Sequence, residues 1–182
     1  MKKILKTSAI AILMVASYQS AFAQASATAS VAATIITPIA IAKTVDMSFG
    51  NVAVQAATGG TVILSPTSGR STGGAGGVTL PATTGTVTAA SFNVTGQGAF
   101  TYSITLPADG TVIVGDGATH TMAVNTFTSA HTTGAVDGTL VAGAQTFGVG
   151  ATLIVSAAQT PNVYTTALGG GSGVFTVTVN YN

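Results

Sequence analysis

Apolar and polar residues alternate with a period of two along most of this chain, and no stretch beyond residue 23 repeats at the helical period. The final stretch, GVFTVTVNYN, shows the alternation most plainly. Phe175, Val177, Val179 and Tyr181 fall on one side of an extended strand, and Thr176, Thr178, Asn180 and Asn182 fall on the other. The same pattern predicts strands over 39–45, 47–54 with a break at Gly50, 61–65, 78–80, 111–114, 120–127, 138–142 and 145–155. Residues 89–94 and 100–106 alternate on either side of a TGQG sequence and predict a hairpin. SGRSTGGAGG, residues 68–77, reads as loop, and GGGSG, residues 169–173, as a hinge before the terminal strand. Short strands with turn signals every about 8 to 12 residues predict an all-β sandwich.

The front of the chain carries two further patterns. Lys2, Lys3 and Lys6 precede a short apolar run, Ala9 to Ala16, and Ala21-Phe22-Ala23 forms a small-x-small cleavage site. Residues 1–23 therefore read as a secretory signal peptide, with the mature chain starting at Gln24. Residues 24–37 then form an N-terminal extension ahead of a sandwich domain over 38–182. Within it Ala27, Ala29, Val31, Ala33 and Ile35 share a face, no turn residue folds the stretch back, and Pro38 interrupts the run. Burying that face in a groove contributes very roughly 5 to 8 kcal/mol before chain ordering is subtracted. Such an arm folds onto its own domain or adds a strand to a neighbour, so these residues are a candidate donor strand.

Composition narrows the function classes. After cleavage the cations are Lys43 and Arg70, the anions are Asp46, Asp109, Asp116 and Asp137, and Glu is absent. A nucleic-acid binder needs clustered Lys and Arg to displace counterions, so that class is excluded. A net charge near zero favours association. The chain has no Cys, so the fold must hold by packing and strand pairing.

Candidate chemistry is sparse. His120 and His131 lack a nucleophile elbow or a metal-ligand pattern. Asp109, Asp116 and Asp137 each precede a Gly, which is turn chemistry; calcium at the outer loops is the remaining cation reading, although no D-x-D-x-D-G run occurs. The Gly-rich runs lack the Lys and the strand-to-helix context of a phosphate cradle. Lys43 reads as a solvated edge lysine, the alternative being an isopeptide bond with Asn180. No catalytic, cofactor or metal residues are assigned, and the chain reads as a non-enzyme with no transmembrane segment in its mature part.

The two ends together resemble chaperone–usher pilins of Gram-negative bacteria. Gly169 stands fourteenth from the end, Phe175, Val177 and Val179 alternate, Tyr181 is second to last, and SFGN at 48–51 resembles the element that opens many pilin domains. More broadly, nearly the whole mature chain resembles a family of small secreted bacterial β-proteins defined only as a domain of unknown function. The shared elements are P-I-x-I (Pro38, Ile39, Ile41), the FG element, F-x-V-T-G (Phe92 to Gly96), I-T-L-P (Ile104 to Pro107) and the V-x-V-x-Y-N tail. The pilin resemblance implies an immunoglobulin-like, pilin-type sandwich short of one strand. It implies an acceptor and chaperone-binding strand built on Gly169, Phe175, Val177, Val179 and Tyr181, and a homopolymer formed by strand exchange. A periplasmic chaperone, an outer-membrane usher, cell adhesion and a fimbrial location on the cell surface follow from it as expectations. The alternative reading is a secreted or outer-membrane-associated sandwich that completes its own sheet and coats a surface or matrix. A carbohydrate-binding adhesin ranks lower, because the chain has no Trp and few Tyr.

Overall fold

The computed structural model of the protein describes residues 24–130 and 138–182. The expected signal peptide, His131 and Asp137 lie outside the described residues. The chain divides between Ile35 and Ile36. Residues 24–35 carry no regular secondary structure and are exposed, Val31 and Ile35 each to 97%.

From Ile36 onward the described residues form strands joined by turns and irregular segments, without helix. They are β1 (Ala40–Val45), β2 (Ser48–Phe49), β3 (Ala53–Val54), β4 (Gly60–Leu64), β5 (Arg70–Gly73), β6 (Val78–Thr79), β7 (Val87–Thr88), β8 (Ala90–Thr95), β9 (Thr101–Thr105), β10 (Val112–Gly115), β11 (Thr121–Ser129), β12 (Gly138–Thr139), β13 (Ala144–Val155) and β14 (Thr178–Tyr181). The larger sheet runs β1-β8-β13-β11-β10, with β4 on β13 and β5 on β4. The smaller sheet runs β12-β9-β14, and β2-β7 and β3-β6 form short ribbons. Every pairing is antiparallel. The chain is all-β.

β13 organises the larger sheet because it is long enough to serve three neighbours. Its first half pairs with β8, from Ala144↔Thr95 to Val149↔Ala90, and its second half with β4, from Ala151↔Leu64 to Val155↔Gly60. β11 lies along its other edge. Phe147, Val149, Ala151, Leu153 and Val155 all point inward at the strand period, so one face of β13 feeds two apolar clusters. In the first cluster Phe92, Val94, Phe147 and Val149 of the larger sheet meet Tyr102, Ile104, Val177 and Val179 of the smaller-sheet side. This is where two sheets face each other. In the second cluster Val62, Val112, Val124, Leu153 and Val155 meet Met47, Phe49 and Phe175, which come from short or irregular segments. Each fully buried Val or Leu in these clusters contributes about 1.5–3 kcal/mol relative to exposure.

Two expectations are corrected. β8 and β9 are not a hairpin: β8 pairs with β1 and β13, and β9 with β12 and β14. Residues 96–100 cross between the sheets, so that Phe92 and Val94 face Tyr102 and Ile104 across the core. Two alternating runs around a Gly-containing turn fit either geometry. Second, RSTG, inside the expected loop 68–77, is strand β5, held by its ladder to β4 from Leu64↔Arg70 to Thr61↔Gly73. The terminal strand is also shorter than its alternation. Ladder pairing covers Thr178–Tyr181, while Val177, buried, and Phe175, half-buried, continue the inward pattern ahead of it.

Tyr181 locks the crossover. Its hydroxyl accepts the Gln97 N–H at 2.6 Å and donates to the Thr37 carbonyl at 2.8 Å. Its ring packs edge-on against Phe100 at 5.6 Å. Gly96 is required by this approach, because a Cβ there would run into the Tyr181 hydroxyl. The aromatic second from the end therefore ties together the C-terminal strand, the β8–β9 crossover and the first residues of the domain. Tyr181→Phe keeps the ring and removes both hydrogen bonds. It is expected to lower unfolding stability by about 1–3 kcal/mol in urea titration, with Gly96→Ala also destabilising; unchanged stability of Tyr181→Phe would contradict the lock.

Candidate functional site

The second apolar cluster is only partly roofed. The floor is the inward face of β10, β11 and β13, including Val112, Val114, Met122 and Leu153. β10 and β11 present these residues because Val112↔Val124 and Val114↔Met122 are directly opposed. The remaining lining comes from the end of β1 and the segment through β3, from residues 159–167, and from Val174 and Phe175. Together they enclose an open apolar groove of about 1250 Å³. Pockets for small molecules typically hold 300–1,000 Å³ and bury most of their ligand, so the groove exceeds a compact ligand site. Apolar side chains stand exposed along it: Val45 at 40%, Val163 at 68% and Val174 at 86%.

β1, whose end lines this region, and β14, which follows Phe175 in the chain, each carry an edge without a strand partner among the described residues. β14 pairs with β9 alone among the described residues. The Asn182 N–H donates to the Thr101 carbonyl, which fixes the alternation: Asn180 and Thr178 direct their main-chain groups to β9. Val179 and Tyr181 direct theirs outward. Among the described residues β1 pairs with β8 alone, and its Cα atoms come within 8 Å of those of β14. The two edges belong to different sheets and meet at the same corner.

The expected acceptor residues divide by position. Phe175 lines the groove, packing at 5.4 Å on Phe127 and at 6.3 Å on Phe92. Val177 and Val179 are buried in the first core cluster. Tyr181 closes the crossover. Gly169 lies apart, its carbonyl accepting the Gly117 N–H. The expected donor residues Ala27, Ala29, Val31, Ala33 and Ile35 are all exposed in the leading segment.

Residues outside that expectation shape the groove. Met47, Phe49, Met122 and Phe127 line it; Phe49 was legible as part of SFGN and the other three only as strand residues. Arg70 Nη1 donates to the Phe49 and Asn51 carbonyls, both at 2.7 Å, and so clamps the SFGN element at the groove wall. Gln159, which also lines the groove, holds a buried Nε2 without an acceptor among the described residues.

The ionisable groups have structural work. Lys43 Nζ pairs with Asp46 Oδ1 at 2.6 Å on the exposed edge of β1. Asp109 Oδ1 accepts the Thr126 N–H at 2.6 Å, holding a bulge in β11 where Thr126 takes a positive φ. Asp116 is half-buried with its side chain covered; its Oδ1 accepts the Ala118 and His120 N–H groups and its Oδ2 contacts His120 Nδ1 at 2.7 Å. The Ala118 N–H foremost, then the His120 contacts, hold the Asp116 carboxyl below its ordinary value against the opposing effect of burial. A lowered folded pKa stabilises the fold above the ordinary value of 3.8, and that contribution is lost as pH falls through the lowered value. The stability difference between wild type and Asp116→Ala should therefore be largest above this range and shrink on acidification, as read from urea midpoints between about pH 2 and pH 6. A pH-independent difference would contradict the assignment.

No curated protein and no solved structure matches the chain. Residues 39–181, from the first isoleucine of the P-I-x-I element to Tyr181, match a family model. The elements that it spans, including the groove-forming strands and the Tyr181 lock, place this chain in the family described as a domain of unknown function (DUF4402).

Proposed function

We propose that this chain is a non-catalytic structural subunit of a surface fibre, assembled by strand addition between copies. The observation that carries the reading is the open apolar groove lined in part by β1 and by Val174 and Phe175 ahead of β14, together with the outer edges of β1 and β14, which pair with no further strand among the described residues. An occupant that supplies both a ladder of main-chain groups and a row of apolar side chains satisfies both features at once, and an extended peptide does so. The leading segment has that form. Its alternate residues are small and apolar, and they are exposed rather than packed. A pilin-type, immunoglobulin-like sandwich, export through the periplasm, and service by a chaperone and usher belong to the same proposal.

The test uses the secreted full-length chain. Electron microscopy and size-exclusion chromatography should find filaments or ladders of oligomers for the wild type. Val31→Asp combined with Ile35→Asp should abolish them while leaving the circular dichroism of the β domain unchanged, because a buried carboxylate without a partner is not tolerated in an apolar groove. A wild type that stays monomeric, or filaments indifferent to the double substitution, would overturn the reading.

A further inference from the structure

β10 is the outermost strand of the larger sheet, and its outward edge is closed by a strap that is not itself a strand. The Ile113 N–H donates to Ser172 Oγ at 3.0 Å, and the Ile113 carbonyl accepts the Ser172 N–H at 2.9 Å. The Gly115 N–H and carbonyl exchange two bonds of 2.9 Å with Thr165. The Gly117 N–H donates to the Gly169 carbonyl at 3.2 Å. Ile113 and Gly115 are the residues of β10 left outward once Val112 and Val114 face β11, so residues 165–172 meet the hydrogen-bonding demand of the whole edge. The strap is internally tied as well, Gly173 N–H to the Thr166 carbonyl at 2.7 Å and Gly171 N–H to the Leu168 carbonyl at 2.9 Å.

The sequence supports this role at one position. Gly115 sits in a strand without a positive φ, so its own backbone does not call for glycine. It is buried, and a Cβ there would run into the Gly169 carbonyl and the Gly171 nitrogen of the strap. The glycine makes room for the strap. Charged residues, the usual guard of a strand edge, are absent from β10, whose sequence is VIVG. That run of β-branched residues is a template for pairing with another strand once uncovered.

The geometry points to residues 165–173 as an edge guard that prevents a second copy of this chain from adding its own β10 edge to edge. The guarded edge differs from the edges of β1 and β14, although Thr165 to Ala167 of the strap also line the groove. If the groove reading is also right, the guard restricts assembly to one pair of edges and so to one direction of growth.

Amide hydrogen exchange and sedimentation velocity test the inference on the full chain, with wild type and variants all carrying Val31→Asp and Ile35→Asp so that strand addition by the leading segment does not contribute to the association read. In the wild type the Ile113 and Gly115 amides should be protected at all concentrations. Gly115→Val displaces the strap while keeping a strong strand residue in β10. It should speed exchange at Ile113 and Gly117 about tenfold or more in dilute solution. At high concentration, protection at Ile113 should return together with a shift to dimers and larger species. Ser172→Ala removes one acceptor and should speed exchange at Ile113 with the fold intact, with a weaker rise in association. Should Gly115→Val fail to fold, Ser172→Ala decides the matter. The inference is overturned if the wild-type amides exchange as fast as unprotected ones. It is also overturned if a folded variant exposes Ile113 without any gain in concentration-dependent association.

Discussion

A β-strand at the edge of a sheet presents main-chain N–H and C=O groups that need partners, and everything specific about this molecule follows from where that need is met. Sequences commonly protect such edges with charge. This one has almost none to use. Among the described residues the ion pair on a strand edge, Lys43 with Asp46, sits at β1. β10 is covered by residues 165–172, and β14 is left with Val179 and Tyr181 facing outward. The edges of β1 and β14 come close to each other, and the second apolar cluster opens into the groove lined by the end of β1 and by Val174 and Phe175 ahead of β14.

Tyr181 gives that corner a fixed geometry. Its hydroxyl joins the β8–β9 crossover, the tail and Thr37, alongside the bond from the Thr37 N–H to Gln97 Oε1 at 3.3 Å. Because this residue near the end of the tail also holds the carbonyl at the start of the β domain, the two ends of that domain are tied by one side chain. Phe175, six residues earlier on the same face, links this end of the molecule to the groove through Phe92 and Phe127.

Much of this was legible in the alternation. The inward residues of β8, β9, β13 and the tail follow from period two alone, and the all-β class with them. Pairing was not legible. The two runs around TGQG face each other across the core instead of lying side by side, because both geometries bury the same alternate residues and both use a Gly-containing turn. β5 was hidden since Arg-Ser-Thr-Gly has no apolar pattern; only its ladder to β4 makes it a strand. The strap was hidden for a related reason. NVYTTALGGGSG has the composition of a loop, and its role comes from long-range hydrogen bonds to Ile113 and Gly115 that local sequence does not encode. For the site, the tail residues were readable as one apolar row, but their division between core (Val177, Val179), lock (Tyr181) and groove (Phe175) depends on the sheet opposite.

The most direct measurement is disulfide trapping, which the absence of native Cys makes clean. A full-length chain carrying both Ala33→Cys in the leading segment and Val45→Cys at the groove should, on mild oxidation, give a ladder of covalent oligomers on a non-reducing gel. A product consisting only of monomer closed on itself, or of unreacted thiols, would contradict strand addition between copies.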